Sequence, residues 1–160
     1  MLVGFGGVML AASVGFSFAH PWGDLRQADS HGEILAGSSI PANVRGMIET
    51  KCVDCHSNRT HWPVYSRLAP ASWLMEHDVH AARNAMNLSQ WNGMTAEDRI
   101  DVLTRIAAEV RSGEMPPKPY AFMHPANRLT ELDKQQIAAW ARLERKRLRA
   151  ASNQKETKGQ

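Results

Sequence analysis

Cys52 and Cys55 stand two residues apart, with His56 directly after them, in the run Cys52-Val53-Asp54-Cys55-His56. They are the only two cysteines in 160 residues. Two thiols at this spacing can reach the two vinyl groups of one haem and form thioethers. The next residue is then held beneath the iron as an axial ligand, and this is the c-type haem attachment pattern. One haem c is therefore predicted, with Cys52 and Cys55 as thioether sites and His56 as the proximal iron ligand. Two other chemistries use similar residues. A zinc site of Cys52, Cys55, His56 and His61 would need adjacent Cys55 and His56 to point at one tetrahedral centre, and the usual second ligand pair is missing. A thioredoxin-like dithiol expects a βαβ setting, which the pattern below lacks.

The second axial ligand decides what such an iron can do. Met115 is the best candidate, because it lies in Glu114-Met115-Pro116-Pro117-Lys118-Pro119. Three prolines keep this strap from being helical beyond its edges, and a stiff strap can hold a thioether over iron. Its plain alternative is a methionine filling a gap in the core. Met123, His124, His77 and His80 are the other candidates. His77 and His80 share a helical face and read as ordinary surface histidines. His20 and His31 are expected to be solvated.

Four helices must position these residues. Pro41 suits a first helical turn, and Val44, Ile48 and Cys52 follow on one face, which predicts a helix over 41–51 that delivers the cysteines at its end. A second helix is predicted over 70–86, with Trp73, Leu74 and Met86 among its apolar positions. Thr95 to Asp98 forms a capping box, followed by Ile100, Leu103, Ala107 and Val110 at helical spacing and a stop at Gly113. Thr130 to Asp133 forms another, leading a helix with Leu132, Ile137, Trp140 and Leu143 to about 149. No segment alternates like a strand. The expected fold is all-α and cytochrome c-like: about four helices with long irregular loops around one haem.

The ends carry different information. Residues 1–19 contain no charge, which reads as a signal peptide or a membrane anchor, although no Lys or Arg precedes the run. Residues 20–38 read as a linker, 39–150 as the haem-binding domain and 151–160 as a disordered tail. The formal charge of +3 is concentrated: residues 142–160 hold seven Lys/Arg and two acids, whereas the other 141 residues hold 12 and 14. A nucleic-acid binder would carry its basic face on the folded body, so none is expected as a partner. The run Arg142, Arg145, Lys146, Arg147 and Arg149 reads as a solvated helix end that complements the dipole, or as a docking surface for an acidic protein or anionic lipid.

Several segments in order, CVDCHSNRTHWPVYS, APASWL, HDVHAARNAMNLSQW, MPPKPYAFMHPANRLT and AAWARLERKRL, resemble the cytochrome c-like haem-binding domain family of bacterial exported proteins. The resemblance spans Cys52 to Trp140, over half of the chain. It implies a mono-haem c-type domain with Cys52 and Cys55 bonded to haem, His56 proximal and Met115 distal. Trp62, Tyr65 and Trp73, close behind the attachment site, are expected to line the haem pocket. The carbonyl of Pro63 or Pro70 is expected to accept a hydrogen bond from the free ring nitrogen of His56.

The leading functional expectation is a periplasmic one-electron carrier with His/Met-ligated iron, serving an acidic or membrane-bound redox partner. A six-coordinate iron leaves no position for substrate, so the chain is expected not to be an enzyme. The alternatives are a five-coordinate haem sensor or peroxidase-like enzyme, or a haem subunit of a membrane complex.

Overall fold

The computed structural model describes residues 2–27 and 33–158, and His31 lies outside the described residues. The fold is all-α, with no strand among the described residues. Its helices are α1 (Leu2–Phe16), α2 (Ala42–Lys51), α3 (Val53–His56), α4 (Ala71–Ala85), α5 (Ala96–Ser112), α6 (Lys118–Met123) and α7 (Glu131–Lys158). Short 3-10 turns over Leu25–Gln27, Val64–Arg67, Leu88–Gly93 and Pro125–Asn127 join them.

The four predicted helices are α2, α4, α5 and α7, and local chemistry sets their ends. Thr95 Oγ1 accepts from the Asp98 amide at 3.1 Å while Asp98 Oδ2 accepts from the Thr95 amide at 3.1 Å. Thr130 and Asp133 repeat this at the start of α7. Gly113 stops α5 in the left-handed conformation at φ 78°, which a residue without Cβ adopts at little cost. At the far end α7 continues to Lys158, so residues 151–158 of the segment expected to be disordered are helical. Its residues are good helix formers, and no Gly or Pro interrupts them before Gly159.

α5 and α7 pack side by side and form the backbone of the core. Val102, Leu103, Ile106, Ala107 and Val110 of α5 meet Ile137, Trp140, Ala141 and Leu148 of α7, with Val44 and Ile48 of α2 and Leu88 and Trp91 closing the cluster. Leu132 and Leu143, both expected on the inner face of α7, are exposed. Glu144 occupies the inner face instead. It is buried because Arg147 grips both its oxygens at 2.6 and 2.8 Å and the Ser39 amide adds a third bond at 3.2 Å, which is how a buried charge is made tolerable.

The segment 20–38 is not a plain linker where it is described. Ile34 and Leu35 are buried in the core, Leu35 through a left-handed backbone at φ 57°. Arg45 Nη1 donates to the Ile34 carbonyl at 3.0 Å. Upstream, residues 13–27 lie along α4. Ser17 Oγ accepts from the Ala69 amide at 2.9 Å and Trp73 Nε1 donates to the Ala19 carbonyl at 2.9 Å. His20 is exposed, as expected, while its Nδ1 meets buried Glu76 at 2.9 Å. This cover explains why α4 buries Ser72, Glu76 and Val79 while Leu74 stays exposed. α1 has 15 residues, and among the described residues no helix is long and apolar enough to cross a membrane.

Candidate haem site

Cys52 caps the C-terminus of α2, where its amide donates to the Ile48 carbonyl at 3.0 Å. The chain turns there at φ −123° and re-enters the single turn of α3. α2 is anchored by Val44 and Ile48, and α3 by Val53. Cys52, Cys55 and His56 are thereby presented on two short rigid pieces joined at Cys52.

All three line one cavity of about 260 Å³, near the lower edge of the ~300–1,000 Å³ typical of small-molecule sites. Its walls are chiefly apolar: Ile48, Met86, Leu88, Ile106, Val110 and Leu129. Met115, Pro116, Pro117 and Tyr120 come from the strap between α5 and α6 and line the same space. Lys51, Arg105 and Glu109 are the charged groups on the lining.

The ring of His56 is held by α4. Its Nδ1 lies 3.1 Å from the Ala82 carbonyl and 3.2 Å from the Met86 carbonyl. Carbonyl oxygens only accept, so Nδ1 carries the proton and Nε2 keeps its lone pair. Burial holds His56 below the usual histidine range, more strongly than these two hydrogen bonds raise it. The imidazole is therefore neutral near pH 7, with the tautomer an Nε2 metal ligand needs. Neither Pro63 nor Pro70 supplies the acceptor, which corrects the sequence expectation. The end of a helix has carbonyls to spare, and α3 packs against that end of α4.

Burial pushes the Cys52 thiol up to about 12 and the Cys55 thiol up to about 11, with the nearby Cys55 thiol adding to the first and the Asp54 and Asp78 carboxylates to the second. Both are free cysteines, present as neutral thiols. In the haem-free folded chain, alkylation at pH 8 is expected to be about a hundredfold slower at Cys55 and about a thousandfold slower at Cys52 than at an ordinary cysteine, because each pKa unit removes tenfold of the reactive thiolate. Rates equal to those of the unfolded chain would show that the thiols are open to solvent. Among the described residues no group of three or more His, Cys, Asp or Glu is arranged to hold a metal ion.

The other expected residues are scattered. Trp62 lies under the Arg26 guanidinium at 4.5 Å, and Trp73 packs edge-on against Phe16. Neither lines the cavity, because the N-terminal segment draws both to the opposite side of α4. Tyr65 also lies off the wall, where its hydroxyl meets His124 Nε2 at 2.7 Å. His124 stacks on Tyr120 at 4.4 Å between centroids, so the aromatic on the wall is Tyr120. Met123 is exposed, and His77 and His80 stay on α4 beside Asp78 and Asn84. Tyr120 and Met86 were not anticipated from the sequence. Tyr120's place directly after the proline strap is the signal that could have found it. A chiefly apolar cavity with two thiols, an imidazole lone pair and a thioether on its lining fits a haem by its donor set.

A stretch of 132 residues is 25% identical to the cytochrome c peroxidase Ccp of Escherichia coli (strain K12), covering 79% of this chain. The chain spans about a quarter of that relative, 27% of its length. The expectation that the chain is not an enzyme does not stand, since a similar protein bears an enzyme's name. No solved structure matches. The haem-binding domain model matches residues 11–143, which contain α2 to α6, the whole cavity and the start of α7, and on that match the chain belongs to the haem-binding domain family.

Proposed function

We propose that the chain carries a single haem c, joined through Cys52 and Cys55, with His56 Nε2 and Met115 Sδ as axial ligands, and that it exchanges single electrons with a redox protein. The observation that carries this reading is the set of groups that line one cavity. Two neutral thiols, an imidazole with its tautomer fixed by Ala82 and Met86, and Met115 all face the same apolar space. When bound, the haem supplies the Fe(III)/Fe(II) couple, and a thioether ligand raises its potential relative to a second histidine. The residues of the chain do the rest. Ile106, Val110 and Leu129 exclude water, and the carbonyls of Ala82 and Met86 hold the ring and increase its donor strength. Arg105, with no hydrogen bond or ion pair among the described residues, is the cation on the lining suited to the haem carboxylates.

Covalent attachment implies export to the compartment where thioethers are made, which in bacteria is the periplasm, with residues 1–19 directing or tethering the chain. The partner reading rests on Arg142, Lys146 and Arg149, which are exposed on α7. Arg145 and Arg147 are tied to Thr104 and to Glu144 with Gly37.

A second reading, a peroxidase with an open distal position, draws on the likeness to the cytochrome c peroxidase and requires that Met115 leave the iron free. A haem-stained denaturing gel with redox spectra tests the attachment. The stain is expected to stay with the native chain and to vanish when Cys52 and Cys55 are both replaced by Ser. Haem that washes out of the native chain would overturn the proposal.

A further inference from the structure

Both tyrosines of the chain meet at one histidine outside the metal site. Tyr120 lines the cavity, His124 stacks on it at 4.4 Å with the rings 27° apart, and Tyr65 places its hydroxyl 2.7 Å from His124 Nε2. Tyr65 comes from the 3-10 turn over Val64–Arg67 and His124 from the end of α6, so two separate elements are brought together here. Tyr65 is 40% exposed, and its chain neighbour Val64 and the residues before His124, Phe122 and Met123, are exposed too. An aromatic path therefore runs without a break from the cavity wall to the surface.

We propose that Tyr65 is a redox-active residue, oxidised by one electron as its phenolic proton passes to His124 Nε2, and connected to the haem cavity through the His124–Tyr120 stack. An oxidised phenol is a very strong acid, so an accepting nitrogen at hydrogen-bond distance lowers the barrier to electron loss. Imidazole is the side chain suited to take that proton reversibly. The balance is simple. The Tyr65 O–H bond breaks, an N–H bond forms on His124, and the electron leaves to a one-electron oxidant. Refilling from a ferrous haem reverses both transfers and leaves the iron ferric. Tyr120 has a different surrounding: its hydroxyl accepts from Asn127 Nδ2 at 2.7 Å, and its ring supplies the stacking contact.

The test is flash oxidation of the haem-loaded chain by a photogenerated ruthenium(III) tris-bipyridine. In the ferric protein a tyrosyl radical is expected, formed more slowly in deuterated water, lost in Tyr65→Phe and kept in Tyr120→Phe. His124→Phe, which retains the stack but not the base, is expected to slow its formation by about a hundredfold. No tyrosyl radical, a radical that survives Tyr65→Phe, or an equal rate in His124→Phe would overturn the assignment. These measurements do not depend on how the iron is ligated. In the ferrous protein the radical is expected to decay in step with iron oxidation, severalfold more slowly in Tyr120→Leu. This arm rests on the cavity being the haem's seat, and decay unrelated to the iron would overturn the connection alone.

Discussion

In the ferric haem-loaded chain, Met115→Ala is expected to convert a low-spin six-coordinate spectrum into a high-spin one. Uptake of carbon monoxide by the reduced form and of peroxide by the ferric form should rise with it, and the reduction potential should fall. Met115 is half-buried on a strap whose ends are fixed by Gly113 and by α6. Alanine there removes the thioether while leaving the three prolines that shape the strap. The His56 side is untouched, because its orientation comes from Ala82 and Met86 on α4. An unchanged ferric spectrum would sink the His/Met reading. If the native protein already took up peroxide readily, the peroxidase reading would replace it.

Trp140→Ala is expected to destabilise the fold by about 3–5 kcal/mol, the usual cost of deleting a buried tryptophan. For a chain of this size that lowers the melting temperature by roughly 6–20 °C, at about 2–4 °C per kcal/mol. Trp140 is 3% exposed and donates from Nε1 to the Ser39 carbonyl at 3.1 Å. It fills the space between α7, α5 and the start of the folded body. α5 carries Ile106 and Val110 to the cavity wall, so α7 supports the site without touching it. Thermal unfolding followed by circular dichroism measures this, and a shift of a degree or two would mean that the core closes over the gap.

What the sequence disclosed follows the range of the interactions involved. The two capping boxes and the Gly113 stop are complete within four or five residues, so their signals are self-contained. The Cys52, Cys55 and His56 pattern is equally local, and the structure places the three around one cavity together with Met115. Most of the misreadings involve partners far apart along the chain. Ile34 and Leu35 stand among polar and small residues, and nothing nearby shows that the core is open to them. α4 buries Ser72 and Glu76 because residues 13–27 cover that side, so its apolar pattern pointed elsewhere. Glu144 interrupts the inner face of α7 and hides that face from any hydropathy pattern. The acceptors for His56 lie some 26 and 30 residues downstream, at a helix end whose neighbour only the tertiary fold selects. Trp62 and Trp73 were assigned by nearness in sequence, yet their packing partners are Arg26 and Phe16.

α4 joins two places that look unrelated. Its first turns carry Trp73 and Glu76, on which the N-terminal segment is seated, and its last turn and cap carry the Ala82 and Met86 carbonyls that fix the ring of His56. Fifteen helical residues make a rod of about 22 Å. A rod transmits displacement along its axis with little loss. The seating of residues 13–27 therefore acts as a mechanical reference for His56, the proposed iron ligand. Load applied to the amino-terminal end would register, a full helix away, as a change in how firmly one imidazole proton is held.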